Sequence, residues 1–267
     1  AALIEVGVDH IGSVILSEEN WKVPAIEETI QTVRSSPAKS SLIPLFNHLN
    51  TVLETLDYYQ PDIVHFCEAL IDHQDHSSVR RLFGLQENVK KRFPEIKIMR
   101  SIPIPQAGQS EIVASLGLGQ IFEPVSDFFL TDTILVKQCG HRYDHQPVEG
   151  FVGITGETCD WNLAAHLVQQ SRIPVILAGG ISPQNARSGI LSVHPAGVDS
   201  CTQTNAVNSQ GLPIRFRKDL EKVKRLVEAV RRAEEEAATA LVSDPATVQG
   251  QQLTDTTLNR ERKFHHV

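Results

Sequence analysis

The sequence predicts a (β/α)8 barrel, and three observations support this fold class. Short apolar runs with β character alternate strictly with helical segments along the chain. Strict alternation is typical of parallel strands joined by helical crossovers. Seven strands are recognised and a helix precedes the first of them, which implies a further strand before that helix. We therefore expect a barrel whose first strand is missing from, or unrecognisable in, this sequence, and 267 residues suit that fold.

Each element is bounded by local signals of helix and strand termini. Gly7 ends the first helix, Pro61 precedes the third strand and Pro94 ends the fourth helix. Asp160 suits a helix N-cap, and Pro44 predicts a bent second strand. The predicted helices are residues 1–7, 24–34, 51–58, 77–93, 110–123, 160–170, 183–193 and 218–242. The predicted strands are residues 11–16, 42–46, 62–67, 96–102, 128–132, 175–178 and 197–200.

The alternative fold is a doubly wound open sheet, against which no G-x-G-x-x-G follows an early strand. Residues 1–242 are predicted to form a single barrel domain. Residues 243–267 are polar and lack periodicity, which is typical of a mobile tail.

Composition excludes several function classes. A net charge of −7 argues against a general nucleic-acid surface. The cysteines show no C-x-x-C pairing, which favours a reducing cytoplasm, and no run is long and apolar enough to span a membrane. No cofactor is expected, and the oligomeric state stays open.

A glycine turn after the predicted strand 175–178 indicates an anion site. Gly179 and Gly180 allow a sharp turn and a close approach of the backbone to a ligand. Ser182 suits an N-cap and Pro183 the first position of the following helix. Free N–H groups and the positive end of the helix dipole then point the same way. Simple turn chemistry is the alternative explanation.

Three further stretches fall on the same predicted face of the barrel. Asp132 ends the fifth recognised strand, where its carboxylate could act as a general acid or base, or could cap the loop. Gly153 and Gly156 could present N–H groups to a phosphate, or could merely shape a long loop. Asp199 and Ser200 end the last strand among small polar residues, which is also ordinary loop composition.

Taken together, these motifs resemble the phosphoribosylanthranilate isomerase family of tryptophan biosynthesis. That family has a strand ending in Leu-Asp-Thr, a Gly-rich loop ending in Asp-Trp, Leu-Ala-Gly-Gly-Leu-x-Pro-x-Asn, Gly-Val-Asp-x-Ser-Ser-Gly and a Lys-Asp helix start. The matching stretches here are residues 130–133, 153–161, 177–185, 197–201 and 218–219. Weaker similarity extends back through residues 63–67 and 7–12 to Ala1.

The resemblance implies an Amadori rearrangement, in which an aminoaldose phosphate opens its ring and becomes an aminoketose. Asp132 matches the general acid of the family. The backbone around Gly153, Gly156, Gly179–Gly180 and Asp199–Ser200 matches its phosphate and substrate site. The implied partner is a small phosphorylated sugar.

The chain departs from the family pattern at three positions. The Lys-x-Cys-Gly-x-Thr motif that carries the general base does not occur here, and its place would lie upstream of Ala1. The Ser-x-Arg that holds the anthranilate carboxylate is replaced by residues 16–22, which contain two acidic residues and no arginine. The segment after the last recognised strand, which would be the eighth strand of the barrel, continues through residues 202–211 as an unusually long loop.

His65 and Cys67 are candidate replacements for the missing base. They share one face of a strand by alternation, so both could point into the barrel mouth near Asp132. A packed histidine and a buried thiol are the alternative.

A bound metal is a separate possibility, since two loops on the functional face carry several histidines. Solvated loop histidines are the ordinary explanation, and we assign no metal site. The residues concerned are Asp72, His73, Asp75, His76, His141 and His145.

An isomerase resembling phosphoribosylanthranilate isomerase is therefore the leading prediction. A diverged, non-catalytic barrel that binds a sugar phosphate or a partner protein is the alternative. A phosphate-sugar enzyme with other chemistry, using His65 or a metal, is the third possibility.

Overall fold

A computed structural model describes residues 1–70, 76–109, 113–136 and 147–243. The described chain alternates strands and helices as predicted, and adds one hairpin. The helices are α1 (Ala2–Glu5), α2 (Pro24–Arg34), α3 (Leu49–Tyr59), α4 (His76–Arg92), α5 (Ser115–Phe122), α6 (Trp161–Gln170), α7 (Ala186–Val193) and α8 (Leu220–Ser243). The strands are β1 (His10–Ile15), β2 (Lys39–Pro44), β3 (Ile63–Phe66), β4 (Lys97–Pro105), β5 (Phe128–Ile134), β6 (Val175–Leu177), β7 (Gly197–Val198), β8 (Asn205–Val207) and β9 (Pro213–Lys218).

Seven strands form one parallel sheet in the order β1-β2-β3-β4-β5-β6-β7. Every neighbouring pair is parallel, for example Ser41 with Ile63 and Leu130 with Ile176. A sheet whose spatial order equals its chain order, with a helix between successive strands, is the arrangement of a (β/α)8 barrel. The fold prediction is confirmed, with the described residues supplying seven of the eight strands.

Strand alternation divides the core into two layers. Inward side chains of the sheet form a small cluster made of Ile63, Met99, Leu130, Ile176 and Ala178. Outward side chains such as Val64 and Ile98 pack under the helices in a much larger cluster. The carboxyl ends of the seven strands therefore meet at one end of the barrel, where the predicted site residues lie.

Two predictions about local structure are wrong. Helix α7 begins at Ala186 and not at Pro183, because residues Ser182 to Asn185 form a turn with Pro183 at its second position. The N–H of Asn185 donates to the carbonyl of Ser182 at 3.2 Å, and the Asn185 side chain accepts from the N–H of Ser182 at 2.8 Å.

The segment after β7 is a hairpin instead of the predicted long loop. Strands β8 and β9 pair antiparallel, with Asn205 opposite Lys218 and Val207 opposite Pro213. Alternation of Ile214 and Phe216 with arginines was the available signal of a strand, since Pro213 is tolerated at a strand start.

Several predictions fall outside the described residues. These are the tail beyond residue 243, the helix start at residues 110–112, and the candidate metal residues Asp72, His73, Asp75, His141 and His145. None of the helices within the described ranges combines the length and apolar character needed to cross a membrane.

A buried ion pair links β4 to the segment after β3. Arg100 points outward into the core with no exposed side-chain surface, and its guanidinium lies 2.5 Å from the carboxylate of Glu68, which is 5% exposed. A second guanidinium nitrogen donates to the Glu68 carbonyl, and Phe122 packs against the guanidinium at 4.8 Å from its ring centroid. The pair fixes the backbone just beyond Cys67, on the wall of the site.

Removing one partner of this pair should destabilise the protein strongly. We expect Arg100→Met to lower the free energy of unfolding by about 3 kcal/mol or more, because the Glu68 carboxylate would stay buried without a counter-charge. Lys97→Met is the matched control, since Lys97 sits on the same strand in an exposed pair with Asp127 at 3.4 Å. It should cost about 1 kcal/mol or less. Urea unfolding curves of both variants make the comparison, and equal losses would contradict the assignment.

Candidate active site

A cavity of about 780 Å³, including its open mouth, lies at the carboxyl ends of the strands. The predicted residues line it together: Asp132, His65, Cys67, Gly153, Gly156, Gly179, Gly180, Asp199 and Ser200. Residues that were given separate roles from sequence thus share one chamber.

Asp132 is a buried carboxyl group in this chamber with a strongly shifted pKa. Burial and the nearby charge of Asp199 together raise its pKa to about 7, although a hydrogen bond from the N–H of Thr133 opposes the rise. That N–H lies 2.9 Å from the carboxylate oxygen. A carboxyl group that keeps a substantial protonated fraction near neutral pH can donate a proton to a bound ligand.

Gly153 leaves the space that the Asp132 carboxylate occupies. A side chain at Gly153 would overlap that carboxylate, and the residue has a φ of +103°, which disfavours any L side chain. The next residue, Ile154, also has a positive φ of 61°. A β-branched residue in this region is strained, and strain of this kind clusters at functional sites. The loop is thus shaped to fit the acid.

Asp199 is the second buried carboxylate of the cavity. Burial raises its pKa, and the charge of Lys218 opposes that rise. Because the two buried carboxylates repel each other, they favour a state in which only one is ionised. One of these two carboxyl groups can therefore stay protonated while the other is ionised.

The glycine turn after β6 packs tightly on the loop that precedes α6. A Cβ at Gly180 would lie 2.6 Å from the backbone of Glu157 and Thr158, and one at Gly179 would overlap the Thr133 hydroxyl. That hydroxyl donates to the Glu157 carbonyl at 2.6 Å. Glycine is thus needed here for close loop packing as well as for access to a ligand.

Polar side chains in the segment between β7 and the hairpin tie the remaining loops together. The Ser200 hydroxyl donates to the Ile181 carbonyl at 2.6 Å, so it holds the turn in place. Gln203 donates to the Gly156 carbonyl at 2.9 Å. Within the described residues, no hydrogen bond takes up the N–H of Gly180, which leaves it available to an anion.

The two candidate replacement bases lie in the cavity but in unfavourable states. His65 is buried, its Nε2 lies 2.8 Å from the Ser101 hydroxyl, and burial with the charge of Arg100 lowers its pKa to about 3. Burial, with the charges of Glu68 and Asp132, raises the pKa of the Cys67 thiol far above its ordinary value. At neutral pH the imidazole is a neutral, weak base and the thiol stays protonated, so their environments fit packing better than proton abstraction.

The sequence did not identify Phe216 as part of the cavity wall. Phe216 on β9 lines the cavity with a φ of +62°, an unusual conformation for a bulky side chain. The insertion was visible only as a long loop, because a strand that pairs with its own neighbour carries a weak sequence signal.

Comparison with known proteins finds a match to one family over the part of the chain that carries these features. Residues 122–229 match the family model described as N-(5'phosphoribosyl)anthranilate (PRA) isomerase. That range runs from before β5 into α8 and contains Asp132, the glycine loops and Asp199.

Two relatives and one solved structure extend the match. The N-(5'-phosphoribosyl)anthranilate isomerase from Methanocella arvoryzae is 28% identical to this chain over 145 residues. The matched residues are 54% of this chain and 55% of that protein, so the chain spans about half of its length. The Methanothrix thermoacetophila protein is 25% identical over 85% of this chain and 90% of its own length.

A solved phosphoribosyl anthranilate isomerase in complex with reduced 1-(o-carboxyphenylamino)-1-deoxyribulose 5-phosphate superposes with a TM-score of 0.56. It covers 86% of this chain and 91% of that one at 18% identity, a likeness of fold. The family match falls on the strand ends that build the cavity, and the relatives extend the similarity over most of the chain, so the chain is similar to phosphoribosylanthranilate isomerases in both sequence and fold.

Proposed function

We propose that the protein isomerises an N-phosphoribosyl arylamine, phosphoribosylanthranilate, to the corresponding aminoketose phosphate. The observation that carries this proposal is the pair of buried carboxylates, Asp132 and Asp199, facing one cavity beside a glycine turn suited to phosphate. Similarity to the isomerase family over residues 122–229 supports the same reaction. The whole chemistry takes place on one sugar, so an acid, a base and an anion grip suffice.

Asp132 is the proposed general acid. It gives its proton to the furanose ring oxygen as the C1–O bond breaks, and the nitrogen lone pair forms a C=N bond to C1. The apolar surroundings that raise the pKa of Asp132 keep the proton in place before reaction. The product of this step is a protonated Schiff base with an open sugar chain.

Asp199 is the proposed general base. Its ionised carboxylate takes the proton from C2, and the C–H electrons form a C1=C2 bond while the C=N electrons return to nitrogen. The resulting enolamine gains a proton at C1 and loses one from the C2 hydroxyl, which yields the ketone. Lys218 favours ionisation of Asp199 over Asp132, which is consistent with this order of roles.

The phosphate group is proposed to lie against the turn after β6. The backbone of Gly156, Gly179 and Gly180 offers N–H groups at close range. Ser200 holds the turn through its hydrogen bond to the Ile181 carbonyl. Asp199, which the sequence suggested for phosphate binding, has no such role in this proposal, because its negative charge would repel the phosphate dianion.

The proposal is tested first by turnover of phosphoribosylanthranilate, followed as the loss of its fluorescence. We expect Asp132→Asn and Asp199→Asn each to lower kcat by about 100- to 10,000-fold, the usual contribution of a positioned acid or base. Absence of turnover in the full chain, with inorganic phosphate still bound, would support a non-catalytic barrel instead.

The dependence on pH follows from the state of Asp132. Its folded pKa of about 7 lies above the ordinary value, so the acid form is present at low pH and is lost as pH rises through 7. We expect kcat/KM to fall on the alkaline side of a profile with an apparent pKa near 7. A rate that keeps rising above pH 8 would exclude Asp132 as the acid.

The same shift predicts an effect on stability. A carboxyl group that is harder to ionise when folded stabilises the fold fully below its unfolded pKa, and that contribution is lost as pH rises through about 7. We expect Asp132→Asn to unfold at a higher urea concentration than the wild type at pH 8. Near pH 4, where both proteins are neutral at this position, the two midpoints should converge.

Gly153→Ala isolates the space that holds the acid. The new methyl group would displace the Asp132 carboxylate, and we expect kcat to fall by about 100-fold because a misplaced catalytic group costs that much. Gly150→Ala is the matched control: its φ of +79° imposes similar backbone strain, but a Cβ there meets nothing within 4 Å. Similar kcat losses in both variants would mean that strain, and not displacement of the acid, is responsible.

A further inference from the structure

Strand β5 carries a buried threonine on each side of the proposed acid. Thr131 and Thr133 are fully buried, and strand alternation directs their side chains away from the cavity that Asp132 lines. Neither threonine lines that cavity, so a ligand bound there does not touch them. Their hydroxyl groups instead contact the backbone of the two loops that are proposed to bind the phosphate.

The Thr131 hydroxyl continues the connection between β5 and β6 at the point where the paired strands end. The register pairs of the two strands reach as far as Leu130 and Ile176. Beyond that pair, the Thr131 hydroxyl accepts from the N–H of Ala178 at 2.9 Å and donates to the carbonyl of the same residue at 3.1 Å. Both backbone groups of Ala178 are therefore bound to β5 by one side chain, directly before the glycine turn.

Thr133 contacts the same turn from its other side. Its hydroxyl donates to the Glu157 carbonyl at 2.6 Å, and a Cβ at Gly179 would overlap that hydroxyl. The backbone of Glu157 in turn lies so close to Gly180 that a Cβ there would be 2.6 Å away. The glycine turn is thus fixed against the strand that carries the acid.

We infer that Thr131 is a positioning residue, which holds the glycine turn at a fixed distance from Asp132 through the backbone of Ala178. The inference rests on the proposed function and names the group that aligns the phosphate end of the substrate with the acid. The phosphate and the ring oxygen belong to one ligand, so the turn and the acid must be spaced to suit both at once. The family pattern has leucine directly before the acid, and leucine cannot make this contact.

Loss of the Thr131 hydroxyl would leave the backbone of Ala178 without a partner in a buried place. Ala178 is 3% exposed, and within the described residues the Thr131 hydroxyl is the partner of its N–H. The Cys159 thiol lies 3.4 Å from the Ala178 carbonyl, which is a weaker contact. Because a buried N–H without a partner is costly, the backbone before Gly179 should shift to find one.

The test uses Thr131→Val, which removes the hydroxyl and keeps the branched shape of the side chain. Ribulose 5-phosphate, which carries the phosphate but no arylamine, is titrated calorimetrically into the full chain. We expect Thr131→Val to weaken its binding by about tenfold, the value of one buried hydrogen bond. Turnover of phosphoribosylanthranilate should fall by about 100-fold in kcat, because a small displacement of a reacting group costs that much. Thr131→Ser keeps the hydroxyl and should keep both values near those of the wild type.

Thr55→Val is the matched control, because Thr55 is also a buried threonine with a satisfied hydroxyl. It is 1% exposed, and its hydroxyl donates to the Thr51 carbonyl at 2.7 Å within α3. Thr55 does not line the cavity. The control should therefore leave ligand affinity and kcat unchanged, whatever its effect on the midpoint of urea unfolding.

An affinity or a kcat that is unchanged in Thr131→Val would overturn the inference, as would equal losses in Thr55→Val or in Thr131→Ser. A wild type that does not bind ribulose 5-phosphate would overturn it together with the proposed phosphate site. Because binding is measured without turnover, the outcome is otherwise separate from that of the proposed function. A chain without turnover that loses affinity in Thr131→Val but not in Thr131→Ser would retain the positioning role and not the reaction. Turnover with unchanged affinity in Thr131→Val would retain the reaction and not the positioning role.

Discussion

Burial of the Asp132 carboxylate is the constraint on which the rest of this site depends. The group is enclosed by the loop at Gly153 so closely that no side chain fits there, and it shares its cavity with a second carboxylate. Water cannot stabilise its ionised form, so its proton is held near neutral pH. The glycines, the strained backbone at Ile154 and the tight contact between two loops all follow from enclosing this one group.

Several groups at the cavity end of the barrel oppose folding, and apolar packing elsewhere in the barrel offsets their cost. A buried carboxyl group that prefers to be neutral opposes folding, as do the strained residues Ile154 and Phe216. Val64, Ile98 and the other outward side chains favour folding, because they pack in a continuous layer under the helices. The ion pair of Arg100 and Glu68 stands between these regions. It positions the cavity wall beyond Cys67, and this arrangement requires two charges to be removed from water. Such a cost is expected where the position of the wall matters.

The barrel was predictable from sequence because its determinants are local and repeated. Apolar runs, helix periodicity and stop signals recur in every unit, and α2 was predicted with the bounds Pro24–Arg34 that the structure has. The shared chamber was predictable for the same reason, since strand ends of a barrel converge. The start of α7 was not, because the side chain of Asn185 closes a turn that sequence alone allows to be helical. The protonation states of His65 and Cys67 depend on burial by distant segments, which no spacing reveals.

The hairpin after β7 shows how the wall of the cavity can change without a change in the barrel. Strand β5, which carries Asp132, pairs with β4 on one side and β6 on the other, so the position of Asp132 tolerates little change. Strands β8 and β9 pair only with each other, so their side chains can vary at little cost to the sheet. Placing Phe216 on this hairpin lines the cavity with a side chain that the seven-stranded sheet does not supply. This part of the cavity wall can then change without any change in β5.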